Sequence, residues 1–212
     1  MRLVRLRQRD SLPAQRSGGA EGNERLTAIT GAVLLVLLAV EGYTILRIGR
    51  LLTLHVFLGM LLLGPVTLKA GSVIYRFARF YTGSEPYRRK GPPAPLPRLI
   101  GPIIMLLTAC VFGSGIMLAV TGPSYGPPSG WLVVHRISFF AWLFFIAIHV
   151  ATYVPRLPRL LAAETRRTCL SGRGTRLALL TASLLGGLVI ALLTVHLEGH
   201  WRPAGVPFDI RR

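Results

Sequence analysis

Apolar and polar positions in this chain fall into long separate blocks. They do not interleave with the short period of a soluble amphipathic helix or a half-buried strand. Five apolar runs stand out: Leu26–Leu46, Leu51–Tyr75, Leu99–Thr121, Trp131–Val154 and Leu177–Leu197. Each is close to the roughly 20 residues a helix needs to cross the hydrocarbon core of a bilayer. Lipid offers no partner to backbone N–H and C=O groups, so a spanning run of this kind predicts an α-helix that satisfies its own backbone. The predicted fold class is therefore all-α, a polytopic transmembrane helical bundle of five helices. Residues 26–154 make a four-helix core and residues 177–197 an extra C-terminal helix. Residues 1–25 read as a basic tail, in which RSGGAEGNE has the composition of a disordered segment. Residues 155–176 form a basic loop, and 198–212 a C-terminal tail.

The connections sharpen this outline. Only Arg47–Arg50 separates the first two runs, which predicts a tight antiparallel hairpin. The stretch KGPPAPLP ahead of the third run reads as extended, because proline interrupts helical hydrogen bonding and constrains the residue before it. No internal repeat occurs, and no glycine-rich phosphate loop of the dinucleotide or triphosphate kind. The Arg-rich start resembles the beginning of a secretory signal, but no small-residue cleavage site follows the first run. That helix is expected to stay in the mature protein.

A formal net charge of +17 would ordinarily point to nucleic acid. Here the arginines sit in short blocks that flank apolar runs, as the ends of membrane spans do. With 51% apolar residues and a mean hydropathy of +0.52, the partner implied is the lipid bilayer, not nucleic acid. Eighteen basic residues lie before the first run, in the Arg76–Arg98 loop and in the Pro155–Arg176 loop. Five lie in the Arg47–Arg50 turn and after the fifth run, and the loop TGPSYGPPSG has none. The positive-inside rule then predicts a multi-pass protein of the plasma membrane, with a cytoplasmic N-terminus and an outer C-terminus. Cys110 and Cys169 are the only cysteines. They form no CxxC or CxxCH motif and no iron–sulfur set, and read as structural or incidental.

Three histidines fall within the runs, where ionisable groups are costly and by default mark function. His55 and His135 each lie four residues past the outer start of their helices, about 6 Å below the outer boundary. Two imidazoles at one depth on two helices can ligate one metal from both sides. Imidazole suits zinc, copper and iron, and a buried pair without Cys or carboxylate ligands favours haem. His149 lies fourteen residues after His135, which places it about 40° away around the helix and about 21 Å along it. It should face the same interior near the inner surface. The competing reading is that these histidines hydrogen-bond between helices and bind nothing.

The segments LTLHVFLGML, with His55, and VVHRISFFAWLFFIAIHVATY, with His135 and His149, resemble the b-type cytochrome subunits of membrane-bound formate dehydrogenases and hydrogenases. More loosely, they resemble bacterial cytochrome b561. In those subunits the fourth helix carries two haem-ligating histidines fourteen apart, and the outer one pairs with a His near the outer end of the second helix. The resemblance covers Leu26 to Val154 and implies haem b between His55 and His135. It further implies an electron-transfer subunit working with an extracytoplasmic or membrane redox subunit, and a quinone near the inner side. The chain departs from the pattern at the inner end of helix one. The family places a second ligand for an inner haem there, and this chain reads RLTAITGA.

Lys69 is the residue available to fill that gap. It lies fourteen positions after His55 on a helix running the same way as the fourth, hence at the depth of His149. It can ligate an inner haem as a neutral amine, pair as a cation with a propionate or a quinone site, or snorkel to the headgroups. Glu41 can orient a ligand imidazole, carry protons or snorkel. Arg136, Arg47 and Arg50 can neutralise haem propionates or anchor at the interface. Gly101 and Gly115, also fourteen apart, could let a flat macrocycle approach helix three. His196 and His200, beside Glu198 and Trp201, read as interfacial residues without a metal. No flavin, nicotinamide or molybdenum signature accompanies the histidines. The expectation is a b-type cytochrome that relays electrons rather than a stand-alone enzyme. A small transporter or assembly scaffold is the alternative from another class.

Overall fold

The computed structural model describes residues 19–91, 95–122, 129–158, 162 and 172–201. The elements are α1 (Ala20–Leu46), α2 (Ile48–Tyr81), the short α3 (Glu85–Arg89), α4 (Pro95–Thr121), α5 (Gly130–Tyr153) and α6 (Arg173–Thr194). Single 3-10 segments follow α5 (Val154–Arg156) and α6 (Val195–Trp201). All regular structure among the described residues is helical, and five helices are long and apolar enough to span a bilayer.

The helices outrun the apolar runs at several ends. α1 starts at Ala20, so part of the segment expected to be disordered is helical. There Lys90 pairs with Glu24, tying the end of α3 to the first turns of α1. α2 continues six residues beyond Tyr75 through arginines and aromatics, since a helix leaving the bilayer loses its apolar signature before it loses its hydrogen bonds. The expected extended stretch KGPPAPLP is helical from Pro95 onward. Proline is at home in a first turn, where its missing N–H would have had no partner anyway. At the α1–α2 hairpin Arg47 alone separates the two helices, and Leu51 (φ −113°, ψ 21°) puts a kink into the start of α2. α2 and α4 are followed by Gly83 (φ 84°) and Gly122 (φ 70°), left-handed positions that suit glycine. The Ser129 hydroxyl caps α5 by accepting from Leu132 N at 3.3 Å.

α2 is the centre of the fold. It packs along α1 on one side and along α6 on another, while α4 and α5 form a second closely packed pair. The two groups meet chiefly through α2, α4 and the 3-10 segment after α6. There Met60, Ala119 and Ala191 form a buried core with Phe57, Leu61, Leu63 and Leu197, and the Trp201 indole donates to the Leu118 carbonyl at 3.1 Å. The C-terminal helix packs mainly on α2.

Among the described glycines, those at the α2–α6 crossing bring two backbones closest together. A Cβ added to Gly64 would meet the Ser183 carbonyl oxygen at 1.9 Å, and one added to Gly187 would meet the Leu61 carbonyl oxygen at 2.1 Å. Pro65 explains why this place suits a backbone approach. It lacks an N–H, so the carbonyl four residues earlier, Leu61, is released from the helical ladder and turned toward the Gly187 backbone. Small residues at helix crossings are the usual packing device in membranes, where water provides no drive for association.

Candidate functional site

At the end of the bundle that holds the Arg47 turn, α2 carries His55 and α5 carries His135. Their ring centroids lie 6.5 Å apart, with the planes at 83°. The depth match expected between these helices is realised as a side-chain pair across the seam between the two helix groups. Each ring is held through Nδ1. For His55 the neighbours are Glu41 Oε1 at 2.9 Å and Thr44 Oγ1 at 3.0 Å, both from the last turns of α1. For His135 they are the Val111 carbonyl at 3.0 Å and Ser114 Oγ at 3.1 Å, both on α4. No hydrogen bond to either Nε2 is made among the described residues.

Such contacts serve a histidine that joins helices by hydrogen bonds, and they also occur at metal-ligating imidazoles. The nitrogen away from the metal donates to a carboxylate or a carbonyl, which fixes tautomer and ring orientation. Imidazole–metal bonds of about 2.0–2.1 Å put the centroids of two rings sharing one metal roughly 6–6.5 Å apart. The angle between planes is free, since each ring can rotate about its own metal–nitrogen axis. Among the described residues no group of three or more His, Cys, Asp or Glu side chains is arranged to hold a metal ion. A zinc or copper centre built from protein ligands alone would need such a group. A haem iron needs only the two axial groups, its other ligands being the porphyrin's own.

The glycines divide. A Cβ on Gly115 would lie 3.1 Å from His135 Cε1, so this glycine makes room for the imidazole. Gly101 faces open space, with nothing within 4 Å of where its Cβ would be. Arg136, beside His135, is exposed and makes no hydrogen bond or ion pair among the described residues. Arg47 and Arg50 are exposed at the same end.

Toward the opposite end, Lys69 lies on α2 and His149 on α5. The Lys69 ammonium donates to the Thr27 carbonyl at 2.6 Å, reaching across to α1 over Gly31, where a Cβ would sit 2.7 Å from Nζ. Around it Thr27 Oγ1 meets Ser72 Oγ at 2.8 Å and Asn23 donates to the Ser72 carbonyl at 2.9 Å. Lys69 is therefore part of a polar clip between α1 and α2. The His149 ring packs on Tyr153, centroids 4.7 Å apart. His196 is exposed in the 3-10 segment after α6. The side chains of Glu198 and His200, the loop 123–128, Cys169 and the tail from 202 onward lie outside the described residues.

Sequence reasoning did not find Thr44, Ser114 or the Val111 carbonyl. Hydroxyls are common in membrane helices and a main-chain carbonyl leaves no mark in a sequence. Only the helix pairing brings them to the rings. Compared with protein-family models, with curated proteins and with solved structures, the chain gives no match in any of the three. The class defined by fold and composition is a multi-pass helical membrane protein.

Proposed function

We propose that this chain is a membrane-embedded b-type cytochrome that passes electrons through one haem held between His55 and His135. The observation that carries the reading is the pair itself: two rings 6.5 Å apart, each with its Nδ1 engaged by an acceptor from a neighbouring helix. The family resemblance of LTLHVFLGML and the His135–His149 helix points the same way. When bound, haem would supply one-electron chemistry. The chain would supply the axial imidazoles, their orientation and the apolar surroundings that tune the potential. His55 would ligate from α2, and His135 from α5, with Gly115 leaving its ring the space to turn inward.

The proposal includes the setting. The basic loops lie on the cytoplasmic side of the plasma membrane, and the histidine pair lies near the outer face. A redox subunit there and a quinone in the membrane are the chemically suited partners, since the chain brings no flavin, nicotinamide or molybdenum motif of its own.

The test is purification from a haem-replete host. The expected result is red protein with a b-type α-band on reduction and a pyridine haemochrome. His55→Ala and His135→Ala should each abolish that haem, because bis-imidazole ligation needs both. Colourless wild-type protein would return the histidines to helix–helix hydrogen bonding in a small transporter or scaffold. Either variant keeping a six-coordinate low-spin spectrum would overturn the pairing.

A further inference from the structure

We infer that Glu41 is a positioning residue that lowers the reduction potential of the haem by holding the Nδ1 proton of His55 on a carboxylate. The inference rests on the haem reading above and assigns a task that the reading itself does not.

The two imidazoles are held unequally. His135 offers its Nδ1 to a neutral carbonyl, that of Val111, and to the Ser114 hydroxyl. His55 offers its Nδ1 to Glu41 Oε1 at 2.9 Å. An imidazole that gives Nε2 to a metal carries its proton on Nδ1, so at His55 the ring is the donor and the carboxylate the acceptor. Hydrogen bonds with one ionised partner are roughly twice as strong as neutral ones. In this place the pair is shielded as well: the side chains are only 22% exposed for His55 and 12% for Glu41.

Glu41 is itself held in position. The fully buried Thr44 donates to the Glu41 main-chain carbonyl at 2.6 Å and its hydroxyl lies 3.3 Å from Oε2, with His55 Nδ1 3.0 Å away. The carboxylate packs against α2 beside Gly59, where a Cβ would fall in ordinary contact, 3.7 Å from Oε1. One turn of α1 and one turn of α2 thus make a single three-residue unit around the proton of one imidazole. A carboxylate acceptor raises the basicity of the ligand. A more basic ligand, with a negative charge behind it, stabilises the oxidised, more positive iron centre over the reduced one. A carbonyl does this less, which makes α1, through Glu41, the element that sets the potential.

The experiment is redox titration of the purified haem-loaded protein, with wild type, Glu41→Gln and Ser114→Ala compared. Gln keeps the shape and the acceptor oxygen and removes the charge. The ferric form should lose about tenfold in its preference over the ferrous form, a rise of about 59 mV for a one-electron couple. Ser114→Ala leaves the Val111 carbonyl on His135 and should move the potential less. A haem-loaded Glu41→Gln protein with the wild-type potential would overturn the inference. A second measurement needs no variant: the low-spin ferric EPR spectrum of the wild type should show one ligand of imidazolate character. A spectrum of two neutral imidazoles would overturn the inference while leaving the haem reading intact, whereas wild-type protein without haem would remove the haem reading instead.

Discussion

Alanine in place of Gly187 tests how the C-terminal helix is attached. Within a helix this change ordinarily stabilises by about 0.5–1 kcal/mol, because glycine gives up more backbone freedom on folding. At Gly187 the new methyl would lie 2.1 Å from the Leu61 carbonyl oxygen, against the 3.4 Å at which ordinary contact begins. The helices must part locally by the difference, about 1.3 Å. Neither side can yield by rotating a side chain, because the obstacle is backbone. Overpacking of this kind costs about 1–3 kcal/mol, so the sign of the ordinary Gly→Ala effect reverses. Gly186 supplies the internal control. It is the adjacent residue on the same helix, and nothing lies within 4 Å of its missing Cβ. Unfolding of detergent-solubilised protein, followed by helical signal against added denaturing detergent, should show Gly187→Ala less stable than wild type and Gly186→Ala no less stable. Gly64→Ala, whose methyl would meet the Ser183 carbonyl, should behave as Gly187→Ala does. The double variant should cost less than the sum, since one parting of the helices serves both methyls. If Gly187→Ala and Gly186→Ala unfold together, the close crossing and the reasoning from it are wrong.

Other consequences can be checked separately. Lys69→Met should leave the ratio of haem to protein unchanged and lower the unfolding midpoint, because Nζ is held on the Thr27 carbonyl of α1; a fall in haem content would make Lys69 a ligand. Gly31→Leu should have the same effect on stability by pushing the Lys69 ammonium off that carbonyl, and wild-type stability in this variant would contradict the clip. Thr108→Val removes the acceptor of the Trp142 indole N–H, now 3.0 Å away, and should destabilise the α4–α5 pair by about 0.6–2 kcal/mol, read from the same unfolding curves. A reporter active only in the cytoplasm should work after Arg25, between Arg79 and Pro97 and between Arg156 and Arg176, and fail at the C-terminus; activity at the C-terminus would reverse or shorten the proposed topology.

Much of this architecture is legible in the sequence because the bilayer leaves few options. A run of some twenty apolar residues in lipid has to be a helix, so the five spans follow from composition and length alone. The polar blocks then count and order the connections. The ends are less legible. Residues 20–25 and 76–81 are helical although charged residues interrupt them, because hydrogen bonding along the backbone continues past the edge of the apolar signal. The prolines of KGPPAPLP suggested an extended chain where Pro95 in fact opens a helix, since proline forbids a helix interior but not its first turn.

The candidate site divides in the same way. That His55 and His135 share a depth follows from counting residues at 1.5 Å each, and counting also puts Lys69 level with His149. Which helices are neighbours does not follow, because spans of similar hydropathy can be arranged around one another in many ways at little difference in cost. Tertiary structure decided that α2 takes the centre, that α6 docks on it through Gly64 and Gly187, and that α1 and α4 bring Glu41 and the Val111 carbonyl to the two rings. These contacts depend on backbone carbonyls, missing Cβ atoms and helix rotation, none of which has a residue type of its own. Sequence alone determined which five segments are long and apolar enough to cross a membrane, because the solvent imposes that pattern; only the packing of one helix on another decided which groups meet.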